Sequence, residues 1–84
     1  MIRWREGTVT AVVRRWSGAV EIDVAVTSRT ADDPATVRAL AYPCLVGDPV
    51  VGDRVLLNVS ALALGLGTGG YALVVALPDR LPAD

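Results

Sequence analysis

The chain has 84 residues and a net charge of −1, with 52% hydrophobic residues; its pI is near 5.2 and its mean hydropathy is +0.46. That length makes one domain with a thin core, burying about 60–65% of the surface the unfolded chain exposes. The mild acidity excludes wholesale phosphate binding and leaves room only for a local basic patch.

Residues 8–16 read as a first strand, with Val9, Ala11 and Val13 on one side and Thr8, Thr10 and Arg14 on the other. Ser17-Gly18 is a turn signal. Residues 19–27 follow, where Val20, Ile22, Val24 and Val26 alternate against Glu21, Asp23 and Ala25. This is the cleanest period-two stretch, and it makes a hairpin with the first strand. Glu21 and Asp23 mark its wet side. Residues 28–35 are polar and predict a loop. Residues 36–42 predict a third strand of open parity: either Val37, Ala39 and Ala41 face inward, or Leu40 and Tyr42 do.

Residues 43–51 read as a connection. Val51-Gly52-Asp53-Arg54-Val55 is a turn that launches the fourth strand, 53–59, with Gly52 taking a positive φ and Asp53 bonding local backbone. Ser60 predicts the cap of one helical turn through Leu64, ended by Gly65. A glycine-rich bend, 65–70, leads to the fifth strand, 71–77, which is apolar on both faces. Residues 78–84 have the character of a linker, leaving 1–77 as the domain. Five short strands with closely spaced turns predict an all-β fold, a small five-stranded antiparallel barrel. A helical turn just before the last strand favours an SH3-like arrangement, with an OB-like one as the alternative.

The supply of catalytic groups is poor. There is no histidine, so no Ser–His or Cys–His pair can form. Cys44 is the only cysteine, which excludes an internal disulfide; its apolar neighbours Leu45 and Val46 predict a buried, inert thiol. Gly65-x-Gly67-x-x-Gly70 spells a dinucleotide fingerprint, but it precedes a strand where the fingerprint needs a helix. Asp48 and Asp53 lack the further ligands of a metal site. No catalytic, cofactor or metal residues are therefore assigned. No apolar run approaches the roughly 18–20 residues of a membrane span, and the N-terminus lacks the apolar core of a signal peptide; the expected setting is the cytoplasm, without membrane.

Two surfaces stand out. Arg3, Trp4 and Arg5, with Arg14, Arg15 and Trp16, place four arginines and both tryptophans at the two ends of the first strand. Guanidinium groups bind phosphates and exposed indoles stack on bases, so this is a candidate nucleic-acid patch if the strand coils enough to unite its ends. The competing reading has the indoles cover the barrel ends while the arginines pair with Glu6, Glu21 and Asp23. Leu62, Leu64 and Leu66, with Tyr71, form a candidate docking surface.

Arg38-Ala39-Leu40-Ala41-Tyr42-Pro43, Val51 to Asn58, and Ala61 to Val74 carry a family resemblance, joined by Trp4-Arg5-x-Gly7-Thr8-Val9. On these residues the chain resembles the N-terminal region of the bacterial, mainly actinobacterial, domain of unknown function 3866 family. The resemblance implies a longer protein into which residues 78–84 lead, and it implies no activity. The expectation is a non-catalytic docking module whose partner is its own C-terminal part or a second copy. The alternative is a nucleic-acid-binding barrel.

Overall fold

The computed structural model describes residues 4–27, 35–60 and 71–80. Within them the order is β1 (Trp4–Trp16), β2 (Ala19–Val26), β3 (Thr36–Ala41), a helical turn α1 (Pro43–Val46), β4 (Arg54–Asn58) and β5 (Tyr71–Ala76). The strands close into a barrel in the order β1-β2-β3-β5-β4. The all-β class and the five-stranded barrel expected from the sequence are what the chain adopts. The sheet is mixed, however, where a purely antiparallel one was expected: β3 and β5 run parallel, with Arg38 opposite Tyr71 and Leu40 opposite Leu73. Parallel neighbours need a crossover between them, and α1 and β4 both lie in that crossover.

Closure depends on β1, which is shared by two partners. Gly7 faces Val26 of β2 on one side and Val55 of β4 on the other. A Cβ at Gly7 would clash with Val24 Cγ1 and sit 2.7 Å from the Ala25 carbonyl oxygen, so only glycine fits. Beyond it the β1–β2 register shifts between Val9 and Ala11 and again between Val12 and Arg14. Each shift is a bulge that bends the strand and resets which residues face inward. This corrects the expected inward set of Val9, Ala11 and Val13: Val9 is buried, Val12 packs on the core, and Val13 is exposed.

The circuit of paired residues shows how strongly β1 coils. Trp4 pairs with Asn58, Asn58 with Leu73, Leu73 with Leu40, Leu40 with Glu21, and Glu21 with Arg14. One turn around the barrel thus advances from position 4 to position 14 of the same strand. Ten positions over five strands tilt the strands by roughly 55° at the usual strand spacings.

The core is filled by Val9, Ile22, Val24, Val55, Leu57 and Leu77, each essentially inaccessible. The open parity of β3 resolves with Val37, Ala39 and Ala41 inward. The hairpin turn uses Gly18 at φ 85°. The turn into β4 follows the expected chemistry: Gly52 has φ 95°, and the Val50 N–H donates to Asp53 Oδ2 at 2.8 Å.

The described helical turn lies at Pro43–Val46, inside the stretch read as a connection. Its signals are local. Proline occupies its first turn, where a fixed φ suits a helix start. Gly47, at φ 97°, ends it by donating its N–H to the Pro43 carbonyl. Cys44 is exposed there, which corrects the expectation of a buried thiol. Val46 is the turn's buried residue, and at about 100° per residue a side chain two positions earlier faces away from the core.

Asp79 and Arg80, in the stretch read as a linker, are held against the barrel. Arg80 donates from Nε and Nη2 to the two carboxylate oxygens of Asp53 (3.0 and 2.6 Å). Arg54 does the same to Asp79 (3.1 and 3.1 Å) and reaches Glu6 as well. Of the loop expected over 28–35 all but residue 35, and of the helical turn expected from Ser60 through Leu64 all but Ser60, lie outside the described residues, as do the glycine-rich stretch 65–70, residues 81–84 and Arg3, and with them Leu62, Leu64 and Leu66.

Candidate functional site

The outer faces of β2, β3 and β5 follow from alternation with the core residues. Outward from β2 point Ala19, Glu21 and Asp23; from β3, Arg38 and Leu40; from β5, Tyr71 and Leu73. Arg14 and Trp16 extend this surface from β1, opposite Glu21 and Ala19.

At its centre is a carboxylate read from the sequence as solvent-facing. Glu21 is 0% exposed, although it points away from the core. Tyr71 donates its hydroxyl to Glu21 Oε1 at 2.8 Å. Arg38 Nη1 lies 3.2 Å from Oε2, and Arg14 Nη2 lies 3.8 Å from Oε1. Burying a charge is tolerable only when it is paired, and three long side chains from β1, β3 and β5 supply the cover. Among the described residues Oε2 accepts no hydrogen bond, and the Arg38 charge lies against it. Arg38 also donates from Nε to Asp23 Oδ1 at 3.1 Å, and that bond holds its guanidinium above the ordinary range. The hydrogen bond to Glu21, then burial, pushes the Tyr71 phenol up.

The two Arg/Trp clusters stay at the two ends of β1. Trp4 sits beside Asn58 of β4, and Trp16 beside Ala19 at the β1–β2 hairpin. Bulges bend the strand, but the paired circuit keeps the clusters apart. Both indoles are at the surface, Trp4 47% and Trp16 44% exposed. Arg14 stacks its guanidinium over the Trp16 ring, 4.9 Å from the centroid. Arg15 pairs with Asp48, and Arg5 Nη1 donates to the Trp4 carbonyl. Of the acids expected to answer these arginines, Glu21 meets Arg14; Glu6 also meets Arg54, and Asp23 meets Arg38.

Sequence reasoning missed Arg38 as the partner of Glu21. It also missed the role of Tyr71, grouped with the candidate docking leucines, because these contacts cross strands far apart in the chain. Apolar side chains are also exposed: Leu73 and Val75 of β5 are each 40% exposed, and Leu45 on α1 is 73% exposed. Among the described residues no group of three or more His, Cys, Asp or Glu side chains is placed to hold a metal ion. No helix among them is long and apolar enough to cross a membrane.

Fold and surface together define a small closed β-barrel with a buried ion cluster on its outer wall. Residues 38–84, from β3 onward, match the family described as "Protein of unknown function (DUF3866)", and the chain belongs to that family. Comparison with curated proteins and with solved structures found no match.

Proposed function

We propose that the chain is an OB-like barrel serving as a non-catalytic docking module, which receives a second copy of itself or another part of a longer chain on the outer face of β5. Three features support the OB-like assignment over an SH3-like one: β1 is shared between β2 and β4, β3 runs parallel to β5, and the helical turn lies between β3 and β4. The docking reading is carried by one observation. Leu73 and Val75 lie outward on β5 with a large share of their surface in water, flanked by the half-buried Leu40 of β3 and Leu56 of β4. Contiguous exposed apolar surface of this kind marks contact sites. Catalysis is not part of the reading, because the chain has no histidine and Glu21 is engaged by Tyr71 and Arg38. Sedimentation velocity over a concentration series, with wild type and Leu73→Glu, tests it. Association that Leu73→Glu abolishes supports the proposal. A strict monomer that binds no apolar dye overturns it.

A second reading, binding of single-stranded nucleic acid, is favoured by the half-exposed Trp16 with Arg14 over its ring at the β1–β2 hairpin. In OB-folds the β2–β3 face and the loop joining β1 to β2 are common sites for oligonucleotides. The ion pairs of Arg14 and Arg15 with Glu21 and Asp48 reduce the local positive field, which ranks this reading second.

A further inference from the structure

We infer that Trp16, Ala19 and Tyr42 form a base-stacking notch for single-stranded nucleic acid, with Arg14 as its phosphate contact; the inference rests on the second reading. Trp16 lies directly opposite Ala19. The β2–β3 ladder ends at the Val20–Ala41 pair, so Tyr42 stands one position further on, beside Ala19. Val20 and Ala41 point into the core, which turns Ala19 and Tyr42 outward. Arg14 and Trp16 share this face, as their ring contact requires. Two aromatic side chains, 44% and 41% exposed, therefore flank a single methyl group. Their backbones are two strand spacings apart, about 10 Å.

The backbone of the notch is anchored on both sides. Trp16 and Ala19 bracket the Ser17-Gly18 turn. The Tyr42 carbonyl accepts the N–H groups of Leu45 and Val46, and Pro43 follows it. Aromatic faces set on either side of a methyl group accept any base, since every base has a π-face. The surrounding arginines and acids balance in number, and Arg14 is the guanidinium placed to meet an anionic ligand. Arg14 is well exposed, and its contact with Glu21 is a long 3.8 Å. Glu21 is buried and also faces Arg38, while Asp23 pairs with Arg38 and Asp48 with Arg15. An uncharged apolar peptide would use the two rings and make no use of the exposed Arg14 charge. A nucleic acid uses both.

The test measures anisotropy of two labelled oligonucleotides of about twelve units at low salt, one oligothymidylate and one abasic with the same phosphates. Oligothymidylate is expected to bind at least about tenfold more tightly, the gain of stacking roughly one base. Trp16→Ala removes a platform and Ala19→Leu fills the notch; each should bring oligothymidylate down to the abasic level. Trp16→Phe should retain most of the binding, and unchanged thermal melts would show the variants folded. Equal binding of both oligonucleotides overturns the notch while leaving charge-driven nucleic-acid binding intact. Binding of neither overturns the second reading itself.

Discussion

Tyr71 donates its hydroxyl to Glu21 Oε1 at 2.8 Å although fifty positions separate them in the chain. The contact exists because β5 lies beside β3, and β3 beside β2, so the first residue of β5 reaches over Arg38 to the outer wall of β2. It ties the parallel β3–β5 seam to the β1–β2 hairpin and completes the cover over a carboxylate that would otherwise be buried without a hydroxyl partner.

This bond should be visible in the tyrosine titration. The hydrogen bond to Glu21 raises the Tyr71 phenol above its ordinary value. The stability it contributes is present below the unfolded value of about 10 and is lost as pH rises through the higher folded value. Absorbance near 295 nm should show Tyr71 ionising late, and Glu21→Gln should move that step toward lower pH. A step that Glu21→Gln leaves in place would mean that the bond does not form in solution.

Glu21 also shows where sequence reading stops. Alternation across residues 20–26 identified which residues of β2 face the core, because period-two burial is a local property. It placed Glu21 on the other face and took that face as wet. Whether an outward residue meets water depends on Arg14, Arg38 and Tyr71, which only the barrel brings to it. The bulges of β1 were hidden for a related reason: period two was carried through Val13, and nothing in a run of Thr, Ala and Val announces a skipped pairing. The parallel β3–β5 pairing is likewise non-local. By contrast, α1 was legible and overlooked, since Pro43 and Gly47 are a start and a stop four residues apart.

Two glycines should respond to substitution for different reasons. Gly7→Ala drives a methyl into Val24 and the Ala25 backbone, and overpacking of this kind costs about 1–3 kcal/mol. Gly18→Ala meets no atom within 4 Å but must hold φ at 85°, a conformation costing roughly 1–2 kcal/mol for a residue with a Cβ. Urea unfolding should therefore show both destabilised. Only Gly7→Ala should disturb the amide shifts of Val24 and Ala25, where the clash is relieved.

Cys44 is exposed on α1. A disulfide reagent added to the folded protein should titrate one thiol per chain without denaturant. The single label would stand near Tyr42, where it can report on ligands at the notch. A thiol that reacts only after unfolding would return Cys44 to the buried position its apolar neighbours suggested.

Acid should weaken the reciprocal pairs of Asp53-Arg54 with Asp79-Arg80. The Arg80 hydrogen bonds hold the Asp53 carboxyl below its ordinary value, and the Arg54 hydrogen bonds do the same for Asp79. In a carboxylate lowered on folding, the unfolded chain takes up the proton first. Stability from these pairs is thus complete above the unfolded value, about pH 4, and is lost as pH falls through the lower folded values. Both pairs sit at the surface, so salt near 1 M should weaken them through screening. Asp53→Asn and Asp79→Asn should each flatten the fall in stability below about pH 4. The two-dimensional NMR signals of Arg54 and Arg80 Nε should change chemical shift together in the same pH interval. Loss of stability with those signals unchanged would place the acid-sensitive contacts elsewhere in the barrel.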